Sequence, residues 1–427
     1  MTYVRDFSFN EELSHSVISQ ICLAYLLQFN TSELHDISLE IYHPLADYAA
    51  KYWIVHRHFS EKHRSQSPVG FALMMKLLTN DNVAFVNWVR LSNQDEFFSR
   101  ELGRQRNEIS KPLYYVSLAG LTEALHNLLE MGADVNAKGG EHGNALQAAL
   151  YGGNEAMAEL LMEKGADVNA QGGNYGNALL AASNKGYEAI AKLLIEKGAD
   201  VNAQGGEYGN ALVAASNKGH EAISKLLIET GADVNAQGGH HGNALYIASR
   251  RGHELIAKLL IEKGADVNAQ GGYDGNALCV ASIRGHERIA KLLIEKGADV
   301  NAQGGYNGNA LCVASMRGHE AIAKLLIEKG ADVNAQGGRL GNALLAASEG
   351  GHEAIAKLLI EKGADINAQG GQYGNALQAA SIKGHGALAK LLIENGADAN
   401  IMALSDAPGA SDSDDFSENL SDDGTDN

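Results

Sequence analysis

Cysteine is scarce in this sequence, with three residues in 427, and the first residues lack a basic segment followed by an apolar one. So few cysteines exclude a disulfide framework and are typical of a reducing compartment. Without a leader, we expect an intracellular protein, in the cytoplasm rather than the nucleus. No apolar run reaches the roughly 18 residues that a membrane span needs, so we expect no contact with a membrane.

The chain repeats itself with a period of 33 residues, in nine units that begin at residues 110, 143, 176, 209, 242, 275, 308, 341 and 374. A full unit reads close to G-N-A-L-x-x-A-S-x-x-G-H-E-A-I-A-K-L-L-I-E-K-G-A-D-V-N-A-Q-G-G-x-x. A period of roughly 20 to 50 residues is typical of a solenoid, in which each unit buries its apolar face against its neighbours.

One unit, residues 209–241, shows how the repeat is built. Asn210 is a good N-cap, because its side-chain oxygen accepts from an N–H of the first turn, so a helix is predicted from Ala211. Gly219 ends this helix and Gly231 ends a second one, since glycine adopts the left-handed conformation at little cost. The dipeptide 238–239 suits a tight hairpin turn. The predicted unit is therefore helix, turn, helix and projecting finger.

The segment G-H-E-A-I-A-K-L-L-I-E-K-G-A-D-V-N-A resembles the second half of an ankyrin repeat. The first half departs from the usual T-P-L-H: only Pro112 keeps the proline, and Asn177, Asn210 and their equivalents replace the threonine. The resemblance implies a mainly α-helical solenoid over residues 110–404. It also implies that the fingers and first helices line a concave groove that binds protein partners.

Residues 1–109 lack the period, and we predict a helical region that caps the N-terminal end of the array. Two apolar stripes at helical spacing are interpreted as core: Val17, Ile18, Ile21, Cys22, Tyr25 and Leu26, then Leu45, Tyr48, Ala49, Tyr52 and Trp53. The segments 21–30 and 44–53 resemble the helical linker that precedes the array in fungal NACHT-ankyrin proteins, relatives of NOD-like receptors. The NTPase motif G-x-x-x-x-G-K-[ST] of that family is missing, because Gly-Lys occurs nowhere.

The last residues, 405–427, contain eight carboxylates and no lysine or arginine, and they supply 8 of the 18 net negative charges. Such a segment has too little apolar surface to offset its chain entropy, so we predict a disordered acidic tail. One hypothesis is that this tail competes for the groove. The alternative is a solubilising end.

Catalytic and metal chemistry find little support. His220, His253, His286, His319, His352 and His385 share one repeat position, and equivalent positions in neighbouring units lie about a helix diameter apart, too far to share a metal ion. We interpret these histidines as structural residues at the start of the second helix. The Asp and Asn of G-A-D-V-N-A are predicted to bond local backbone. Identical residues kept apart do not form a catalytic site, so we expect a non-enzymatic protein without cofactor or metal.

Variation between the units is concentrated just before the glycine that ends the first helix and at the finger tips. There, basic and aromatic side chains recur, and both are common in the energetic centres of protein interfaces. The predicted partner-binding residues are Tyr175, Lys185, Tyr208, Lys218, Arg250, Arg251, Tyr273, Arg284, Tyr306, Arg317, Tyr373 and Lys383. A structural alternative stays open: a cation at a helix C-terminus stabilises the dipole, and a finger-tip tyrosine packs on its neighbour.

The favoured function is a protein-interaction scaffold that binds a partner of acidic character in the groove. The sequence leaves the oligomeric state open, and a monomer is plausible. An alternative is the sensor arm of a fungal NOD-like receptor-type protein without its NTPase module. Single-stranded nucleic acid is less favoured: interleaved basic and aromatic residues suit it, but the overall charge of −18 does not.

Overall fold

The computed structural model describes residues 11–30, 45–62, 67–79, 83–92 and 106–398. Within these ranges the chain forms twenty-two α-helices, so the mainly α-helical prediction is confirmed. The predicted acidic tail, 405–427, lies outside the described residues.

Four helices precede the repeats: α1 (Glu11–Leu26), α2 (Ala46–Lys62), α3 (Pro68–Leu78) and α4 (Val83–Ser92). Their core contains both tryptophans, which are fully buried and meet edge to face with ring centroids 5.5 Å apart. Trp88 Nε1 donates to the carbonyl of Ala50 at 3.1 Å, so the indole is buried with its polar atom bonded.

The predicted core stripes of α1 and α2 are only partly right. Cys22, Leu26 and Trp53 are buried, but Ile21 is 59% exposed and Tyr52 is 46% exposed. Val17, Leu45 and Tyr48 are exposed as well. Helical spacing alone defines a wide stripe, and the two helices contact each other along only one side of it.

The repeats contribute nine helix pairs. Their bounds are α5 (Pro112–Ala119) and α6 (Thr122–Glu130), α7 (Ala145–Tyr151) and α8 (Glu155–Glu163), α9 (Ala178–Lys185) and α10 (Glu188–Glu196), α11 (Ala211–Lys218) and α12 (Glu221–Glu229), α13 (Ala244–Arg251) and α14 (Glu254–Glu262), α15 (Ala277–Arg284) and α16 (Glu287–Glu295), α17 (Ala310–Arg317) and α18 (Glu320–Glu328), α19 (Ala343–Gly350) and α20 (Glu353–Glu361), and α21 (Ala376–Ile382) and α22 (Gly386–Glu394).

Short elements complete the described chain. Three 3₁₀ turns occur at Leu27–Phe29, Arg106–Glu108 and Gly239–His241. One finger contains a two-stranded antiparallel sheet, β1 (Gln303–Gly304) with β2 (Gly308–Asn309), in which Gln303 pairs with Asn309. Six other fingers close with a single antiparallel bridge, such as that between Gly205 and Gly209.

The chain divides into two compact units. The first contains the residues up to Val280 together with Glu295–Gly297, and the second contains Ala281–Ile294 and the residues from Ala298 onward. The first unit includes the N-terminal helices and the repeats up to the middle of α15. The second includes the repeats that follow.

Local sequence explains the helix bounds in each repeat. In residues 209–241, the side chain of Asn210 accepts from Val213 N at 2.9 Å and begins α11. Gly219 ends that helix in the left-handed conformation with φ of 80°. Ile223 and Leu227 of α12 are buried, and Leu226 is half-buried, as the apolar spacing predicts.

Five of the six repeated histidines have a structural role, as predicted. At His220, His253, His319, His352 and His385, ring Nε2 donates to a main-chain carbonyl of the preceding repeat at 3.0 to 3.3 Å. The glycine that ends the preceding first helix makes room for the ring. A Cβ added to Gly186, for example, would lie 2.6 Å from His220 Cε1.

The prediction for the G-A-D-V-N-A motif is right for Asp and wrong for Asn. Asp200 bonds locally, accepting from Asn202 N at 2.9 Å. Asn202 instead joins two repeats, because its Nδ2 donates to Gly231 O at 3.0 Å and its Oδ1 accepts from Asp233 N at 2.8 Å. A carboxamide both donates and accepts, so one side chain pairs with two main-chain groups of the next unit.

The three cysteines, Cys22, Cys279 and Cys312, are buried free thiols. Burial raises the pKa of the Cys279 thiol to about 12. A thiol with so high a pKa is a poor nucleophile at neutral pH.

Candidate partner-binding surface

Within each unit, the variable positions meet on one surface, which we call the helix-finger face of that unit: the last turns of the first helices together with the finger tips. In the first unit, Asn184 Nδ2 at the end of α9 donates to Tyr175 Oη at the finger tip, at 3.3 Å. In the second unit, Arg339 at a finger tip pairs with Glu349 at the end of α19, with Nη1 and Oε1 3.3 Å apart. The two groups of positions that the sequence distinguished therefore belong to one surface within each unit.

Three cations of the first unit occupy the same repeat position. Lys185, Lys218 and Arg251 lie in the last turns of α9, α11 and α13. Lys218 and Arg251 are exposed, and Lys185 is half-buried. Each cation also lies near the C-terminal carbonyls of its helix, where positive charge stabilises the dipole. These three cations, which form a row along the repeats, therefore stabilise their own helices in addition to any role in binding.

Contacts with the preceding repeat hold two of these cations. Arg251 Nε donates to Asn217 Oδ1 at 2.8 Å, and Asn217 is buried in the last turn of α11. Lys185 Nζ lies 4.9 Å from the ring centroid of Tyr151, a cation–π arrangement. A side chain held in place before binding loses less conformational entropy when a partner arrives.

An aromatic group at the start of the array extends the face. Tyr151 is 41% exposed and stacks on the buried His142, with ring centroids 3.7 Å apart. Tyr175 follows at 6.1 Å. The sequence prediction omitted His142 and Tyr151, although both lie at the variable positions; the signal for them was their place in the repeat.

Tyr208 requires a correction. The prediction placed its ring on the binding surface, but the side chain is 4% exposed and stacks on His241 at 4.8 Å. The finger folds this ring inward, so Tyr208 supports the surface from below. Tyr273, by contrast, is 70% exposed.

The imidazole of His241 is close to several charges. Its Nε2 lies 3.6 Å from Glu207 Oε1. Burial nevertheless lowers the pKa of His241, assisted by Arg250 and Arg251 and opposed by Glu207. We therefore treat the ring as largely neutral at pH 7 and the contact with Glu207 as less than a full ion pair.

Tyr246 lies in the same region. The side chain is buried and its Oη donates to Asp274 Oδ2 at 3.4 Å. Burial raises the pKa of Tyr246 to about 12, and the negative charge of Asp274 contributes in the same direction. The phenol keeps its proton at physiological pH and acts as a donor.

The second unit has a less regular row. Arg284 is half-buried, Arg317 and Lys383 are exposed, and Lys383 Nζ lies 5.4 Å from the ring centroid of Tyr373, which is itself half-buried. Tyr306 is 54% exposed. At the end of α19, Gly350 stands where most repeats have a cation, and the acidic Glu349 precedes it, so the row of cations is interrupted there.

Two other kinds of site find no support in the described residues. Over the ranges described above, no group of three or more His, Cys, Asp or Glu side chains is arranged to hold a metal ion. None of the helices within these ranges combines the length and apolar character needed to cross a bilayer.

The family model for ankyrin repeats matches residues 113–205, 178–271, 270–337 and 338–403. Since these stretches together span well over half of the sequence, the chain belongs to the ankyrin-repeat family. Ankyrin repeats indicate a scaffold for protein–protein interaction.

One curated relative is a Monascus ruber protein described as azaphilone pigments biosynthesis cluster protein L. It is 37% identical over 161 residues, which is 35% of this chain and 33% of that protein. The match therefore spans about a third of the relative's length. Its description does not mention a NACHT protein, so the receptor resemblance stays a prediction.

Among solved structures, the crystal structure of the human ASB11 ankyrin repeat domain is similar to this chain. The TM-score is 0.46 at 27% identity, over 52% of this chain and 98% of that one.

Proposed function

We propose that the chain is a non-enzymatic intracellular scaffold, acting in the cytoplasm, that binds an acidic segment of a partner protein on the helix-finger face. The observation that carries the proposal is the row of Lys185, Lys218 and Arg251 in the first unit. These cations recur at one repeat position in a chain whose net charge is −18. Their equal spacing along successive repeats suits carboxylates distributed along a partner segment.

Charge and aromatic surface have different roles in this proposal. Exposed cations attract an acidic partner and speed the encounter, and salt screens this effect over about 10 Å at 0.1 M. Tyr151, 41% exposed beside Lys185, offers a ring on which an apolar part of the partner packs. Arg251, held by Asn217, is pre-organised to pair with a carboxylate.

The test is a charge reversal with a matched control. Two variants of the full chain serve as baits for affinity capture. The reversed bait combines Lys185→Glu, Lys218→Glu and Arg251→Glu. The control bait combines Lys192→Glu, Lys225→Glu and Lys258→Glu. The control positions lie on the second helices of the same three repeats, where Lys192 and Lys225 are 67% and 65% exposed. Both baits thus have the same net charge, and only the first changes the helix-finger face.

The partner is first identified by affinity purification from the native source and mass spectrometry with the unaltered bait. We expect the control bait to retain this partner and the reversed bait to lose it. The reversed bait should unfold at a somewhat lower temperature than the control, because glutamate opposes the dipole at three helix C-termini and Asn217 loses its bond from Arg251. Helical circular dichroism at the assay temperature shows that both baits are folded. Capture by the reversed bait equal to that by the control would contradict the site assignment.

Nucleic acid is tested with a single-stranded oligonucleotide and the same two baits. Binding that falls steeply with salt, and is lost only in the reversed bait, would assign the row to a phosphate backbone instead.

A second candidate function is the sensor arm of a NACHT-type receptor. It is supported by the linker resemblance of residues 21–30 and 44–53 and by the exposed apolar side chains of Ile21, Tyr48 and Tyr52 on α1 and α2. Such side chains suit contact with another module. Genomic sequence upstream of the Met1 codon tests this candidate, because an NTPase reading frame must be found there.

A further inference from the structure

A cavity of about 450 Å³ lies in the first unit, between the end of α3, the start of α4 and the first repeat. Buried apolar side chains, including those of Leu78, Phe85 and Leu128, form much of its wall. The main chain of residues 132–134, just after α6, lines it as well. The size falls within the range of about 300 to 1,000 Å³ that is usual for ligand sites.

In later repeats, the main chain equivalent to residues 132–134 is bonded to an asparagine side chain. In each case an asparagine of the preceding repeat donates its Nδ2 to the glycine carbonyl at 2.9 to 3.2 Å. We call these residues the ladder asparagines: Asn136, Asn169, Asn202, Asn235, Asn268, Asn301, Asn334 and Asn367. The aspartate N–H two residues after the glycine donates to the same carboxamide, for example Asp167 N to Asn136 Oδ1 at 2.7 Å.

Among the described residues, no asparagine stands before the first repeat as a ladder asparagine stands before each later one. The equivalent groups are Gly132 O and Asp134 N, and neither has a hydrogen-bond partner among the residues that the structure describes. Gly132 and Asp134 are exposed, and Ala133 between them is half-buried, whereas its equivalent Ala199 is 8% exposed. Gly132 and Asp134 thus line the cavity with the same carbonyl and N–H that bind an asparagine carboxamide in later repeats.

We propose that this cavity binds the side chain of an asparagine in an extended segment of a partner protein. The carboxamide supplies both an acceptor for Asp134 N and a donor for Gly132 O. A carboxylate of the same shape accepts but cannot donate, so aspartate does not replace asparagine. The apolar wall accommodates the residues beside the asparagine, as the repeat's own Asp-Val-Asn-Ala segment is accommodated by the next repeat. This site shares no residue with the helix-finger face.

The probe is a fluorescent peptide with the repeat sequence Gly-Ala-Asp-Val-Asn-Ala, titrated against the full chain by anisotropy. We expect saturable binding, and binding at least about tenfold weaker when the peptide asparagine is replaced by aspartate. The amide signal of Asp134 in a nitrogen-15 correlation spectrum should shift with the asparagine peptide, which locates the site.

A protein variant provides the second arm. Ala133→Phe places a ring in the cavity and should abolish peptide binding, while Ala222→Phe, at an exposed position of α12, should leave it unchanged. If the Ala133→Phe variant loses its helical circular dichroism, the proposal is still tested by comparing the asparagine and aspartate peptides on the unaltered chain.

Two outcomes would overturn the proposal: equal affinity for the asparagine and aspartate peptides, or no saturable binding up to about 1 mM peptide. Neither outcome affects the proposed role of Lys185, Lys218 and Arg251, since the charge-reversal baits leave the cavity intact.

Discussion

Replacing the two helix-ending glycines of residues 209–241 separates backbone strain from a side-chain contact. Gly219 and Gly231 both have positive φ, 80° and 101°. A Cβ at Gly219 would lie 2.6 Å from His253 Cε1, whereas one at Gly231 would meet nothing within 4 Å. Gly231→Ala therefore measures strain alone, and Gly219→Ala measures strain together with displacement of the imidazole.

The magnitudes follow from these contacts. A left-handed alanine costs about 1 to 2 kcal/mol of unfolding free energy at either position. At Gly219, the ring of His253 must also move, which breaks the bond from its Nε2 to Asn217 O at 3.3 Å. Leaving a buried carbonyl without a donor costs a further 1 to 3 kcal/mol, roughly. We expect a loss of about 1 to 2 kcal/mol for Gly231→Ala and about 2 to 5 kcal/mol for Gly219→Ala.

The assay is urea unfolding of the full chain, followed by helical circular dichroism, with hydrogen exchange of α11 as a local probe. The double variant Gly219→Ala with His253→Ala should lose less than the sum of the two single variants, because the ring that clashes is already gone. Equal losses for Gly219→Ala and Gly231→Ala, or strict additivity in the double variant, would refute the assigned contact.

Four other predictions follow from the repeats and the tail. Asn202→Leu removes two inter-repeat bonds at an exposed position, so the unfolding free energy in urea should fall by about 1 to 2 kcal/mol; an unchanged value would contradict the ladder. Burial lowers the pKa of His253 below its ordinary 6.5, so its contribution to stability is fully present above pH 6.5 and is lost as pH falls toward the lowered value. The variant His253→Asn introduces the residue that the first full repeat has at the equivalent position, Asn154. It should reduce the change of unfolding temperature with pH, measured by thermal melts between about pH 7 and 5. An unaltered slope would assign the pH dependence to another group. In-frame deletion of residues 242–274 should leave a shorter folded chain, because each unit contacts only its neighbours, and global loss of helical circular dichroism would count against a simple solenoid. Truncation after Leu404 should raise affinity for an acidic partner at low salt, measured by titration, with a gain that shrinks as salt increases; equal affinities would reject competition by the tail.

Much of the repeat was predictable because its local chemistry is complete within 33 residues. Asn210 caps α11 and Gly219 ends it, as N-cap and left-handed preferences require. The apolar spacing of Ile223 and Leu227 predicted the buried side of α12 correctly. These features depend on residues close in sequence, so propensity and pattern suffice.

The candidate surface was less predictable, because exposure depends on how a finger folds over its neighbours. Tyr175, Tyr208 and Tyr373 hold the same finger-tip position, yet Tyr208 is 4% exposed and the other two are half-buried. The buried Asn217 holds Arg251 through a contact between repeats, and no local pattern indicates this. The same holds for Tyr151, whose ring becomes a platform only when His142 and Lys185 are placed beside it.

The sequence by itself determined the period, the helix bounds, the ankyrin fold and the positions at which the repeats differ, since each depends on short-range preferences copied nine times. Only the tertiary structure decided which variable side chains face outward, how the ladder asparagines join one repeat to the next, and that the first repeat leaves Gly132 O and Asp134 N without a partner among the described residues. The physical reason is that each of these features joins groups about 30 residues apart in sequence, and their alignment exists only once the repeats stack.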